Sequence, residues 1–176
     1  DLPEEERLIY AMANQDERYR IAATSTTKIP IIRKLLNKHA GEPTLIIGQY
    51  IDQLHTIADA LDMPLITGET PVSERERLFE LFRNGDVTTL VVSKVANFSV
   101  DLPEASVATQ ISGSYGSRQE EAQRLGRLLR PKADGRSASF YTLVAKDTVE
   151  QDFAQNRQRF LAEQGYSYEI VDADQI

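Results

Sequence analysis

Arg127 and Arg130, with Gln123 one turn before them, stand in the string Gln123-Arg124-Leu125-Gly126-Arg127-Leu128-Leu129-Arg130. Ahead of it, Ser117-Arg118-Gln119-Glu120 sets a hydroxyl three residues before a carboxylate, the pattern of a capping box, and predicts a helix from about Arg118. At about 100° per residue, Gln123, Arg127 and Arg130 fall within roughly 60° of one another, while Ala122, Leu125 and Leu129 occupy another face. One face packs; the other presents an amide and two guanidiniums. Such planar, permanently charged forks suit phosphate oxygens and can stabilise charge on a transferring phosphoryl group. The alternative is a solvated basic face, or ion pairs with Glu120 and Glu121. Gly126 in mid-helix costs about 1 kcal/mol relative to Ala, which fits close approach of another backbone. Pro131 ends the helix directly after Arg130.

The elements that must position this helix follow from periodicity. Leu2 to Glu17 reads as a helix, with Pro3 suited to its first turn and Glu4, Glu5 and Glu6 at its positive end. A second helix runs from Ile29 to Lys38 and ends at Gly41. Strand and helix then alternate. The strands are Thr44–Ile47, Pro64–Thr67, Thr88–Val92, Val107–Ile111 and Ser139–Val144. Tyr50 to Leu61 is a helix with Ile51, Leu54, Ala58 and Leu61 on one face. Thr70-Pro71 reads as a cap and first-turn proline for a helix reaching Asn84, which buries Leu78, Phe79 and Phe82 and stops at Gly85. A last helix is capped by Asp147, with Glu150 at the box position, and stops at Gly165; the tail Tyr166–Val171 suits an edge strand. Such alternation predicts an α/β fold: parallel βαβ units in an open sheet covered on both faces. Ligands of such sheets meet the loops at the carboxyl ends of the strands, here those after Ile47, Val92 and Ile111.

Composition narrows the function. The 176 residues suit one domain, and 41% hydrophobic residues suffice for a core. No apolar run approaches a membrane span and no signal peptide is apparent. With no cysteine there is no disulfide or zinc–thiolate site, which fits a reducing, intracellular setting. His39 and His55 lack metal-ligand spacing and read as ordinary surface or core residues. A net charge of −7 argues against holding nucleic acid by bulk charge. The charge is uneven: Arg118 to Arg136 holds six basic and three acidic residues, whereas Asp147 to the end holds two basic and seven acidic. A sequence opening at Asp1 fits a piece of a longer polypeptide.

None of the nine glycines is followed by lysine, so a phosphate-binding loop of the GK[ST] type is missing. Asp16-Glu17 is no credible acidic box, because it follows polar Ala13-Asn14-Gln15 rather than a buried strand. Nor does Ile111-Ser112-Gly113-Ser114-Tyr115-Gly116-Ser117 form a nucleophile elbow. A triphosphate site by the phosphate-loop route therefore needs a second lobe.

QEEAQRLGRLLRPK resembles motif VI of superfamily 2 helicases. With its flanks it resembles the xeroderma pigmentosum group B (XPB) DNA repair helicases, in a bacterial form, from about Thr44 onward. The resemblance implies a RecA-like three-layer sandwich with a mostly parallel central sheet, the P-loop NTPase type of fold, serving as a helicase C-terminal lobe. Residues 1–40 would be a helical lead-in packed on the lobe and 41–176 the RecA-like domain. By the same resemblance, Arg127 and Arg130 would be arginine fingers toward ATP and Mg²⁺ held mainly by an N-terminal lobe. Gln123 and Asp101 would bind the nucleotide. Ser93-Lys94…Asp101-Leu102-Pro103 is similar to motif V, placing Ser93 and Lys94 on a DNA phosphate. A local turn with Asp101 as a cap is the alternative, and Ala96 and Val100 stand where many relatives have Gly. Gly48-Gln49-Tyr50 resembles motif IV, with Tyr50 able to stack on a base or simply to pack. Thr67-Gly68-Glu69-Thr70 resembles motif IVa, with Arg75 nearby; a phosphate on free amides and a capped turn explain it equally. Asp147-Thr148, Arg157-Gln158-Arg159-Phe160-Leu161 and Gln164-Gly165-Tyr166 also match the family and read as a packing helix.

The resemblance thus implies the motor lobe of an ATP-dependent 3′–5′ DNA helicase in nucleotide excision repair. Its partners would be DNA, the N-terminal lobe and other repair proteins, with no membrane, in a bacterial cytoplasm near the nucleoid. The alternative is a stand-alone α/β module that binds a nucleotide or a protein and has no motor activity.

Overall fold

The computed structural model describes residues 2–14, 17–18, 21, 24, 27–93, 105–111 and 139–143. The arginine helix, the strings containing Lys94 and Asp101, the loop 112–117, the last helix and the tail lie outside the described residues.

Four helices and five strands are described: α1 Glu4–Met12, α2 Lys28–Lys38, β1 Thr44–Gly48, α3 Ile51–Leu61, β2 Leu65–Ile66, α4 Val72–Arg83, β3 Thr89–Ser93, β4 Val107–Gln110 and β5 Ser139–Thr142. The strands form one sheet in the order β2-β3-β1-β4-β5, and every pairing is parallel. The expected α/β sandwich is therefore present, and the five strands expected between Thr44 and Val144 are found to within a residue or two.

The layers follow from the two-residue repeat of a strand, which sends successive side chains to opposite faces. Leu45, Ile47, Leu90, Val92 and Ala108 pack with Leu78, Phe79 and Phe82 of α4. Ile46 and Val91 point the other way and pack with Ile32 and Leu35 of α2 and with Leu54, Ile57 and Ala58 of α3. All residues of β1 and β3 are buried, as expected of parallel strands covered on both sides. Arg33 ties the two helices on that face, its Nη2 donating to the Ala60 carbonyl at 3.1 Å. The chain goes from β1 to β2 past the place of β3 with α3 on one face, then returns to β3 with α4 on the other. Right-handed crossovers in opposite directions require this change of face.

Three local readings need correction. The first helix stops at Met12 rather than at Glu17, because Ala13 is extended (φ −85°, ψ 158°) and Asn14 starts a new cap. The Asn14 Oδ1 accepts from the Glu17 N–H at 2.9 Å, and the Glu17 carboxylate accepts from the Asn14 N–H at 3.2 Å. Glu17 is thus part of a reciprocal cap, which accounts for it without any acidic-box role. Second, Pro71 rather than Thr70 occupies the cap position of α4, and no side chain caps that helix. Third, α2 starts at Lys28, one residue early.

The helix ends show how much a local signal carries. After α4, Gly85 takes φ +83°, with its N–H donating to the Phe82 carbonyl at 3.2 Å and the Asp86 N–H to Leu81 at 2.9 Å. That is a Schellman ending on the expected glycine. After α3 the same turn is made by Asp62 at φ 53°, with the Met63 N–H donating to the Ala58 carbonyl at 2.9 Å. A left-handed conformation strains a residue that has a Cβ. Replacing Asp62 by Gly should therefore stabilise the chain by about 1 kcal/mol or less, read from the urea midpoint.

Candidate functional site

Strand order brings three strand ends together. Gly48, last in β1, lies opposite Ser93, last in β3, and Ile47 lies opposite Gln110, last in β4. Ile111 then donates its N–H to the Ile47 carbonyl at 2.9 Å, and the Leu143 N–H donates to the Gln110 carbonyl at 2.9 Å. From β1 the chain continues to one side of the sheet, toward β2, and from β4 it continues to the other side, to β5. The order reverses between β1 and β4, and in an open parallel sheet the crevice for a ligand opens at such a point. The strand ends that lead into the loops singled out from the sequence therefore share one crest.

Side-chain exposure sorts the residues on that crest. Gln49 and Gly68 face solvent, Tyr50 and Thr67 are half-buried, and Gly48 and Ser93 are inside. Tyr50 occupies the cap position of α3 in extended conformation (φ −97°, ψ 115°), and its carbonyl accepts the Leu54 N–H at 3.1 Å. This helix start holds Gln49 and Tyr50 at the rim beside the β1 end. Gln110 is 2% exposed and Ser93 1%, so polar side chains line the inside of the crest as well.

The turn after β2 is closed by its own hydroxyls. The Thr70 Oγ1 accepts from the Thr67 N–H at 2.9 Å, the Thr67 Oγ1 accepts from the Glu69 N–H at 3.2 Å, and the Thr70 N–H donates to the Thr67 carbonyl at 3.1 Å. These amides are committed to the turn, so a phosphate here would meet the uncapped start of α4 instead. Arg75 stands at that start. Its Nη2 donates to the Thr70 carbonyl at 3.4 Å, and its buried Nε has no hydrogen-bond partner. Arg77, by contrast, is engaged by Glu74 at 2.6 and 2.9 Å. Hydrogen bonding from Arg77 holds the exposed Glu74 carboxyl below its usual range.

Two polar residues stand out: Lys28, which the sequence did not single out, and His39, which it gave as an ordinary surface or core residue. Lys28 is 2% exposed, and its ammonium donates to the Ile111 carbonyl at 2.7 Å. His39, 7% exposed, joins the Glu42 carboxylate through Nδ1 and the Tyr141 hydroxyl through Nε2, both at 2.7 Å. Neither carries a motif, and although Glu42 lies three residues from His39, the partners Ile111 and Tyr141 are remote in sequence, so no local signal could have found those contacts. Among the described residues no group of three or more His, Cys, Asp or Glu could hold a metal ion. No described helix is long and apolar enough to cross a membrane.

Comparison with known proteins shows the family. Residues 4–176 match the family of the ERCC3/RAD25/XPB C-terminal helicase. The chain belongs to that family. It is similar to the DNA 3′-5′ helicase XPB of Kineococcus radiotolerans, at 67% identity over 99% of this chain and 31% of that protein. The Mycobacterium tuberculosis protein of the same name is 59% identical over 99% of the chain and 32% of its own length. A Drosophila melanogaster general transcription and DNA repair factor IIH subunit XPB is 44% identical over 77% of the chain and 18% of that subunit. The chain thus spans about a third of the length of the bacterial relatives it matches. Their higher identity agrees with the bacterial form expected.

Solved structures agree on the fold. The C-terminal domain of the DEAD-box protein Dbp5 superposes with a TM-score of 0.67 at 17% identity, covering 77% of this chain and 79% of that one. Dbp5 from S. cerevisiae bound to RNA and ADP BeF3 gives 0.69 at 18% identity, over 84% of this chain and 39% of that one. The expected RecA-like helicase C-terminal fold is therefore present. Of the site residues expected from the family, Gly48, Gln49, Tyr50, Thr67, Gly68 and Ser93 lie among the described residues; Lys94, Asp101, Gln123, Arg127 and Arg130 lie outside them.

Replacing Thr70 by Ala removes the acceptor of the Thr67 amide. The expected cost is about 1 kcal/mol in urea unfolding, with faster hydrogen exchange at the Thr67 amide.

Proposed function

We propose that this chain is the C-terminal motor lobe of an ATP-dependent 3′–5′ DNA helicase or translocase of the XPB type, acting in nucleotide excision repair. The observation that carries the reading is 67% identity, over 99% of the chain, to a protein named DNA 3′-5′ helicase XPB. The converging strand ends support it, since the segments that resemble helicase motifs follow them in sequence.

The donor set fits a lobe that meets a nucleotide from outside rather than cradling it. The sequence has no Gly-Lys pair, and the described residues form no acidic cluster for Mg²⁺. ATP with Mg²⁺ supplies the phosphoanhydride bond whose hydrolysis drives the motor. Arg127 and Arg130 present guanidiniums to the phosphate charge, and Gln123 and Asp101 contact the nucleotide. Gly48, Gln49, Tyr50, Thr67, Gly68, Ser93 and Lys94 line the DNA side. The exposed Gln49 and half-buried Tyr50 are its accessible members just after β1, and Arg75 adds positive charge at the start of α4. With net charge −7, the protein holds DNA through these local donors and through stacking rather than through its overall field. The N-terminal lobe of the same polypeptide is the obligatory partner. Other repair proteins join it in a bacterial cytoplasm at the nucleoid.

Two experiments test this. In the complete polypeptide, Arg127→Ala or Arg130→Ala should lower DNA-stimulated kcat for ATP hydrolysis about 10³-fold or more with the circular dichroism unchanged. The fragment alone should release negligible phosphate with or without DNA, and strong turnover by it would refute the reading. Separately, Tyr50→Ala in the complete polypeptide should weaken binding of a single-stranded oligonucleotide by about 1–3 kcal/mol, measured by fluorescence anisotropy. Unchanged affinity with lowered stability would instead assign Tyr50 to packing.

A further inference from the structure

Among the described residues, Lys28 is the one Lys, Arg, Asp or Glu that is fully buried, at 2% exposure. It is also the first residue of α2, where the helix dipole disfavours a cation. Burial of an ammonium is costly unless hydrogen bonds compensate, and well-packed apolar residues often serve stability as well or better. Stability alone is therefore a poor reason for a lysine at this place. Its hydrogen bond supplies another. The ammonium donates to the Ile111 carbonyl at 2.7 Å, and the N–H of the same Ile111 donates to the Ile47 carbonyl at 2.9 Å. One side chain on α2 thus holds the residue whose backbone joins the end of β4 to the end of β1, at the point where the strand order reverses. In sequence, Ile111 leads toward Gln123, Arg127 and Arg130, and Ile47 leads directly into Gly48-Gln49-Tyr50.

We propose that Lys28 is a positioning residue, whose buried ammonium fixes the paired strand ends from which the arginine-bearing and DNA-facing segments depart. This rests on the motor reading above. The part of Lys28 is to hold the strand ends on which both segments depend.

The test uses the complete polypeptide with Lys28→Met and Lys28→Arg. Lys28→Met should keep cooperative unfolding and lower DNA-stimulated kcat by about tenfold or more, with KM for ATP within about twofold, as expected for lost alignment. Lys28→Arg, which keeps charge and donors, should recover much of that loss. Parental kcat in Lys28→Met would overturn the proposal, as would a loss of kcat that follows thermal destabilisation and is not rescued by Arg. Should Lys28→Met fail to fold, Lys28→Leu, which likewise offers no donor to the Ile111 carbonyl, is read by the same criteria. Hydrogen exchange provides a readout that needs no activity. Exchange should quicken around residues 47–50 and 110–112 in Lys28→Met and stay as it was in α4; no local change there would sink the inference. A parent polypeptide without DNA-stimulated hydrolysis would instead refute the motor reading, leaving the exchange result to judge Lys28.

Discussion

A central strand bonded on both edges sets the frame of this molecule. Thr44–Gly48 pairs with β3 on one side and β4 on the other, and all five of its residues are buried. Buried backbone groups must find partners, so a strand in that position fixes its neighbours' register as firmly as it fixes its own. The two-residue alternation then assigns Leu45 and Ile47 to the α4 face and Ile46 to the α2–α3 face. A shift of one residue would exchange these faces all along the strand. The helices are therefore placed by the strand pairing, and the crest where the strands end is placed with them.

The crest combines a buried polar interior with an exposed rim. Ser93, Gln110 and Lys28 lie inside it with exposures of 1–2%, whereas Gln49 and Gly68 face solvent. A low-dielectric interior strengthens each polar contact and raises the cost of breaking it. Rim residues on a scaffold held this way keep their spacing. The turn after β2 follows the same logic: its threonine hydroxyls satisfy its own amides, so its shape does not depend on a ligand.

Charge is managed locally rather than globally. Glu74 engages Arg77 on the exposed side of α4, while Arg75 is directed to the start of that helix. The net charge of −7 and the basic strip from Arg118 to Arg136 are then compatible. An acidic body limits indiscriminate attraction to polyanions, and a few placed donors supply the attraction where it is useful. Membership of the ERCC3/RAD25/XPB family gives this arrangement its setting, since the matched chain spans about a third of the bacterial relatives.

Local chemistry alone determined much of this protein. The helix over residues 72–83, its end at Gly85 and its buried Leu78, Phe79 and Phe82 follow from apolar spacing and a glycine stop. The strands at Thr44, Thr89, Val107 and Ser139 follow from short apolar runs between turn signals, and their alternation with helices implied a parallel sheet. Sequence resemblance singled out Gly48, Gln49, Tyr50, Thr67, Gly68 and Ser93, because a motif is a local string. Where local signals competed, the reading slipped: Asn14 and Glu17 capped each other and ended α1 early, and Thr70 spent its hydroxyl on its own turn. What only the tertiary structure decided is which distant groups meet. The sheet order, the pairing of Ser93 with Gly48, the His39–Tyr141 contact and the Lys28–Ile111 bond all join residues far apart along the chain. Such contacts arise from the mutual burial of whole elements and the satisfaction of backbone groups between them. No window of sequence short enough to read periodically contains both partners.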